Sequence, residues 1–306
     1  MPIRYVDQQL SVVSESPDRH VPLAEVADKF QKPVYVYDVD EIERRLDHIK
    51  TCFTENTTVH YAMKANSHPA ILKLVAAKNM GVDVVSAGEI NLAVEAGISP
   101  QKIVFSGVGK SISEINRALD LNIKQINVES PSELRRIGEL AKAKNKPASI
   151  ALRMNPDVDP DTHPYIKTGF RDNKFGMDES FLPELESIFK QYPEHLALNG
   201  LTLHIGSQIR ELDSFKDAIA KTLPLFDYLK DQGYPIQRFD IGGGIGISYT
   251  EENGDTDYKL LDLYGEEVKK LIGQRSVELQ IEPGRVIVGR SGVLLTQIQY
   301  IKKTPY

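Results

Sequence analysis

The chain has 306 residues, 41% of them hydrophobic, enough to bury a large core and better suited to one sizeable α/β domain plus a fragment than to several small domains. Its formal charge of -6 argues against a nucleic-acid backbone or an anionic membrane surface as partner, since both are held by concentrated lysine and arginine. A single cysteine, Cys52, forbids an internal disulfide; the start "MPIRYVDQQL" lacks a signal-peptide pattern, and no apolar run nears the roughly 20 residues of a membrane span, so the expectation is a cytoplasmic protein.

From residue 34 the chain alternates short β-branched runs with longer amphipathic stretches, the pattern of a parallel sheet with crossover helices. "VYVYD" opens the series and the helix-like "VDEIERRLDHIKTCF" follows. Eight strand candidates come next: "TVHYAMK", "GVDVVS", "KIVFSG", "QINVES", "SIALRMN", "LTLHIG", "RFDIGG" and "VELQIEP". Between them lie helical patterns such as "PAILKLVAAKN", "SISEINRALDLN" and "PSELRRIGELAKAK", opened by Pro or Ser as helix starts prefer. Eight β/α units in about 225 residues predict an α/β fold, the (β/α)8 TIM barrel.

Side chains alternate across a strand, and the outer face of a barrel must be apolar to receive its helices. In "VELQIE", Val277, Leu279 and Ile281 take one side while Glu278, Gln280 and Glu282 take the other. Leu201, Leu203 and Ile205 oppose Thr202 and His204, and Ile150, Leu152 and Met154 oppose Ala151, Arg153 and Asn155. Helices cover a parallel sheet, so the polar side has no solvent to face and must point into the barrel. By the same alternation Lys64, Asp83, Ser106, Glu129 and Asp240 point inward, most of them near the C-terminal strand ends where barrel enzymes keep their chemistry.

Lys64, in "HYAMKAN", therefore sits at the barrel mouth, where an unpaired ammonium is costly to desolvate. Two readings stand: an ion pair with an inward carboxylate such as Asp83 or Glu129, or surroundings that lower its pKa and free the amine to add to a carbonyl. "DIGGGIGI" sets Gly242, Gly243 and Gly244 after the seventh strand, where barrels often bind phosphate through backbone N–H groups. It is not the dinucleotide G-x-G-x-x-G, because the last place falls on Ile247. In "EPGR", Glu282 could keep a heteroaromatic nitrogen protonated, and Arg285, after the Pro283–Gly284 turn, could fork onto a carboxylate or phosphate. In "HIGSQ", His204 could stack on a flat cofactor and Ser207 could reach a phosphate. Amine, glycine cradle, acid and flat imidazole at one end of one barrel are what pyridoxal 5'-phosphate requires. No metal site is expected, since His60, His163 and His204 show no close ligand spacing.

Taken together, "YAMKAN", "DVVSAGE", "LRMNPDVDP", "THPYIKTGF", "HIGSQ", "GGGIGI" and "EPGR" resemble, in order and over nearly all of the chain, the diaminopimelate decarboxylase family, pyridoxal-phosphate enzymes on an alanine-racemase-like barrel. "HIGSQ" with "HPYIKTG" is more similar to that branch than to the ornithine or arginine decarboxylases. The resemblance implies that Lys64 carries the cofactor, His204 stacks on its ring and Glu282 pairs with the pyridine nitrogen. Gly242, Gly243, Gly244, Ser207 and the backbone through Pro283, Gly284 and Arg285 would hold the phosphate. Arg285 would also meet a substrate carboxylate, with Asp83, Glu89 and Arg153 lining the same pocket.

The implied reaction, in a homodimer, takes CO2 from the D-configured centre of meso-diaminopimelate and leaves L-lysine. Another basic amino-acid decarboxylase, a racemase, or a non-catalytic pyridoxal-phosphate binder are the alternatives. The family's proton donor is a cysteine in a Cys-Glu-Ser motif of a C-terminal β-domain, and Cys52 does not match it. The expectation is a C-terminally incomplete chain that binds cofactor and turns over poorly. Its barrel would span residues 34–285, with 1–33 and 286–306 belonging to a β-rich second domain.

Overall fold

The computed structural model describes residues 3–13, 20–158, 174–250 and 255–304; "THPYIKTGF", with His163, lies outside the described residues. Three strands, β1 (Ile3–Val6), β2 (Gln9–Val13) and β3 (His20–Pro22), form an antiparallel sheet followed by α1 (Leu23–Phe30), β4 (Val34–Tyr37) and α2 (Val39–Cys52). A closed parallel barrel comes next: β5 (Thr57–Ala62), β6 (Gly81–Val84), β7 (Ile103–Phe105), β8 (Gln125–Val128), β9 (Ala148–Met154), β10 (Leu196–Leu203), β11 (Arg238–Asp240) and β12 (Glu278–Ile281). Its helices are α3 (Pro69–Ala77), α4 (Ala87–Glu95), α5 (Ile112–Leu121), α6 (Pro131–Lys144), α7 (Leu182–Gln191), α8 (Leu212–Asp231) and α9 (Asp255–Ile272). The short α10 (Arg285–Val288) leads to β13 (Gly292–Leu295).

All eight predicted strands enter the barrel in sequence order, and β12 closes it against β5. "VYVY" is also a strand, β4, but it pairs antiparallel with β13 outside the barrel. Among the described residues no helix is long and apolar enough to cross a membrane.

Helix starts after the strands are written locally. Ser86, Ser111 and Ser130 cap α4, α5 and α6 by accepting the amides of Glu89, Glu114 and Glu133. Pro131 occupies the first turn of α6, where a missing N–H costs nothing. Outward-facing Val82, Phe105, Ile126, Leu152, Leu203 and Leu279 join the hydrophobic cluster under the helices.

The barrel interior is a polar ladder instead. Near its base Glu278 meets Lys124 at 2.6 Å and accepts from Thr58 at 3.0 Å. Above, Gln125 donates to Asn127, Asn127 to Ser106 and Ser106 to Asp83, at 2.8, 3.0 and 2.6 Å. These side chains tolerate burial because each makes at least one such bond, although Gln125 Oε1 has no partner. His60, enclosed in the same interior, is pushed down to about 3 by desolvation and stays neutral.

One charged cluster ties the outer layer to the rim. Arg45 on α2 is 2% exposed; it meets Glu41 at 2.6 Å, donates to the Val286 carbonyl at 2.9 Å and lies 4.9 Å over the Tyr258 ring. It thus anchors α2 to α10, the helix that follows the "EPGR" turn. Arg45→Ala is expected to destabilise the fold by about 3 kcal/mol, the lower end for breaking a buried pair, because Arg44 still holds the other Glu41 oxygen. Urea denaturation of the two forms, compared at unchanged slope, measures this.

Candidate active site

β5 stops at Ala62, opposite Asp83 on β6, and Met63–Ala65 coil into a 3-10 turn. Lys64 therefore lies two residues past the strand, not inside it as "TVHYAMK" suggested. Its ammonium is 3.4 Å from Asp83 Oδ2, longer than the about 2.7–2.9 Å of a tight charged hydrogen bond, and 50% of the side chain stays exposed. Protein encloses the amine closely enough to desolvate it, yet its surface opens onto a cavity.

Of the two readings the ion pair holds, and the lowered pKa is corrected. The Asp83 carboxylate, aided by Glu282, outweighs desolvation and holds Lys64 above its ordinary value. Glu129 is not the partner. It meets Arg153 at 2.8 Å and accepts the Gly176 amide at 2.9 Å, while Arg153 stacks 4.8 Å over the Phe175 ring.

His204, just beyond β10, accepts the Gly243 N–H on Nδ1 at 3.3 Å. Burial, then the nearby Lys64 and Arg153 charges, hold its pKa well below the usual range. The ring is therefore neutral, with its proton on Nε2.

Asp240 and Glu282 end neighbouring strands and act on one another. Asp240 Oδ1 accepts the Gly242 N–H at 2.8 Å, whereas Asp240 Oδ2 and Glu282 Oε1 are buried without a hydrogen-bond donor. Desolvation is the main cause of a rise to about 7 for Asp240. Desolvation, then the Asp240 charge, lift Glu282 well above the carboxylate range. The two carboxyls therefore retain a shared proton near neutrality.

The glycine run owes its composition to close backbone approach. A Cβ on Gly243 would collide with the Glu282 carbonyl, and one on Gly244, at φ +103, with the Gly206 carbonyl. Because Gly242 and Gly243 give their N–H groups to Asp240 and His204, the cradle open to an anion begins at Gly244.

A cavity of ≈550 Å³, the size of a small-molecule site, opens above these groups. Lys64, His204, Ser207, Gly244, Glu282, Gly284 and Arg285 line it together. Pro283 stands behind the wall, where its carbonyl accepts the Ala62 N–H at 3.0 Å. Asp83, Glu89 and Arg153 also sit behind it: Asp83 backs Lys64, and Glu89 accepts the Val85 N–H at 2.7 Å where α4 begins.

Sequence reasoning missed Ile245, Tyr249 and the wall contributed by Tyr35 and Tyr37 of β4 with Val293 and Leu294 of β13. Tyr249 accepts a hydrogen bond from Arg285 Nη1, and the buried Nε of that guanidinium has no hydrogen-bond partner. No local motif announces the β4–β13 wall, since its strands come from opposite ends of the chain.

The residues present fit pyridoxal phosphate. Glu282 Oε1 is buried and receives no N–H or hydroxyl, its carboxyl sharing a proton only with Asp240, Lys64 is a loosely held amine, and Ser207, Gly244 and Arg285 surround one side of the same cavity. Fold and site together define the class: a barrel suited to holding pyridoxal phosphate at its C-terminal rim. Residues 39–289 match the family described as "Pyridoxal-dependent decarboxylase, pyridoxal binding domain", and the chain belongs to it.

Within that family the similarity is to diaminopimelate decarboxylases. That of Aquifex aeolicus is 40% identical over 288 residues, covering 92% of this chain and 66% of the relative. That of Neisseria meningitidis serogroup A is 41% identical, covering 92% and 68%. The crystal structure of the Helicobacter pylori enzyme complexed with L-lysine superposes with a TM-score of 0.86 at 40% identity, covering 92% of this chain and 70% of that one. The chain thus spans about two thirds of the length of these relatives.

Proposed function

We propose that this chain is the cofactor-binding part of a diaminopimelate decarboxylase, taking CO2 from meso-2,6-diaminopimelate and leaving L-lysine. The observation carrying this reading is the convergence of Lys64, His204, Glu282 and Arg285 on one cavity at the C-terminal rim of the barrel. Bound pyridoxal phosphate supplies an electron sink for the pair left by the departing carboxylate.

The protein's own groups do the rest. Lys64 attaches the cofactor and, at 3.4 Å from Asp83, has a carboxylate beside it to exchange a proton with. Ser106, donating to Asp83 Oδ1 at 2.6 Å, fixes that carboxylate in place. Neutral His204 offers a flat ring, held by the Gly243 amide. Glu282 would serve as counter-ion to a protonated pyridine nitrogen, a charge that would offset its repulsion with Asp240. Ser207 and the backbone from Gly244 hold the phosphate, and Arg285, steered by Tyr249, takes a substrate carboxylate.

Residues 1–33 and 286–306 belong, in this proposal, to a second, β-rich unit, and the working form is a cytoplasmic homodimer. A substrate panel tests the reaction: CO2 release from meso-diaminopimelate supports it, whereas release from ornithine or arginine alone, or inversion without CO2, refutes it. Ser207→Ala should weaken pyridoxal phosphate about 10-fold, the worth of one hydrogen bond to a charged group, and leave binding of phosphate-free pyridoxal unchanged. Fluorescence titration with the two ligands checks both halves.

A further inference from the structure

A second cluster of ligating atoms lies on the outside of the barrel, between α2 and α9. His48 and Cys52 are four residues apart on α2 and so share one face of that helix. Asp262 comes from α9. The ligating atoms of the three all lie within 4.8 Å of one another, with His48 Nε2 3.0 Å and Cys52 Sγ 3.5 Å from Asp262 Oδ1.

The His48–Asp262 contact is not an ordinary hydrogen bond. Nε2 is sealed from solvent and has no hydrogen-bond partner despite the carboxylate oxygen 3.0 Å away, so that oxygen lies off the axis of the ring nitrogen. The Cys52 sulfur lies within 4.8 Å of both atoms, close enough for one ion to touch all three. Donors around a tetrahedral zinc ion, with bonds of about 2.0–2.3 Å, stand about 3.3–3.8 Å apart; the two Asp262 contacts, at 3.0 and 3.5 Å, lie close to this, and the widest pair, within 4.8 Å, closes by up to about 1 Å on binding.

The frame is rigid and the entrance is open. A Cβ on Gly265 of α9 would collide with the Cys52 carbonyl, so the two helices meet backbone to backbone at this point. The Tyr258 ring packs edge-on against the His48 ring at 4.8 Å and fixes its plane. Cys52 is 5% exposed, while Asp262 at 52% and His48 at 26% leave a path from solvent. Burial, then the Asp262 carboxylate, push the Cys52 thiol up to about 12, with Lys269 opposing them.

We propose that His48, Cys52 and Asp262 bind a divalent zinc-class ion that clamps α2 to α9, a site separate from the cofactor cavity. Three protein ligands and one water complete a tetrahedron. Binding replaces the S–H bond of Cys52 with a sulfur–metal bond and releases that proton to solvent.

Titrating the untagged, cofactor-loaded chain with Co2+, then displacing it with Zn2+, tests this. One equivalent of Co2+ should give a sulfur-to-cobalt charge-transfer band and intense visible bands of tetrahedral cobalt, both lost on adding Zn2+. Cys52→Ser and Asp262→Asn should each weaken binding by more than the about 10–100-fold that follows loss of an outer partner of a ligand. Zn2+ should raise the melting midpoint of the parent chain but not of either variant. No charge-transfer band from the folded parent chain overturns the proposal, as does unchanged affinity in Asp262→Asn. That variant sits at a half-exposed position and decides the matter should Cys52→Ser fail to fold.

Discussion

Lys64→Ala is expected to abolish reducible attachment of pyridoxal phosphate and to lower decarboxylation about 10⁴-fold, the upper end for a positioned group that also moves protons. Among the residues lining the cavity, Lys64 is the primary amine, so no neighbour replaces it. Borohydride reduction followed by peptide mapping gives the direct readout. Pyridoxyl mass should sit on the peptide holding Lys64 in the parent chain and vanish in the variant. Label on a different lysine would sink the assignment. Asp83→Asn should leave the label in place, because Asp83 holds the amine only loosely. It should also lower the pH at which attachment begins, because the carboxylate that raises the Lys64 pKa is gone.

Glu282→Gln is expected to cost about 10³-fold in turnover, comparable to removing a fixed electrostatic group aimed at developing charge. The amide keeps the size but cannot act as counter-ion to a protonated pyridine ring. Retention of more than a tenth of parental turnover would show that Glu282 does not perform that role. A second effect appears in the cofactor-free chain. Asp240 titrates at about 7 when folded against 3.8 ordinarily, so between those values the folded chain keeps a proton that the unfolded chain has lost. That contribution is present in full below about pH 4 and is lost as pH rises through about 7. Glu282, held well above the carboxylate range by burial and then by the Asp240 charge, adds a fall of the same sign, and replacing it by glutamine removes that part, so the variant gains in melting midpoint at pH 8 relative to the parent more than at pH 5.

The barrel was legible because two patterns agreed: alternating strands required a covered outer face, and the amphipathic stretches between them, opened by Pro or Ser, supplied the covering helices. Asp83 and Asp240 followed, since position at a strand end and inward parity are both local properties, whereas Lys64 lies in the turn beyond β5, where strand parity no longer applies. Which partner a group takes is not local. Lys64 had Asp83 and Glu129 on offer, and the choice was made by Arg153, which claims Glu129. The Gly242 and Gly243 amides likewise went to Asp240 and His204, side chains whose distances depend on the barrel closing. The His48–Cys52 spacing is visible on a helix, but Asp262 joins it only through the packing of α2 on α9.

The wall formed by β4 and β13 ties the pocket to the order in which the chain is made. Tyr37 pairs with Gly292 and Val34 with Leu295, partners separated by the entire barrel. During synthesis the tyrosine side of the wall emerges before the first barrel strand, and its other half emerges after the last. A nascent chain paused anywhere inside the barrel therefore carries the reactive amine with one flank of its pocket unbuilt, and such long-range pairing forms late. Tight capture of cofactor accordingly reports that the barrel has been completed, and a ribosome-bound series of increasing length should acquire it in one step once residues 292–295 clear the exit tunnel.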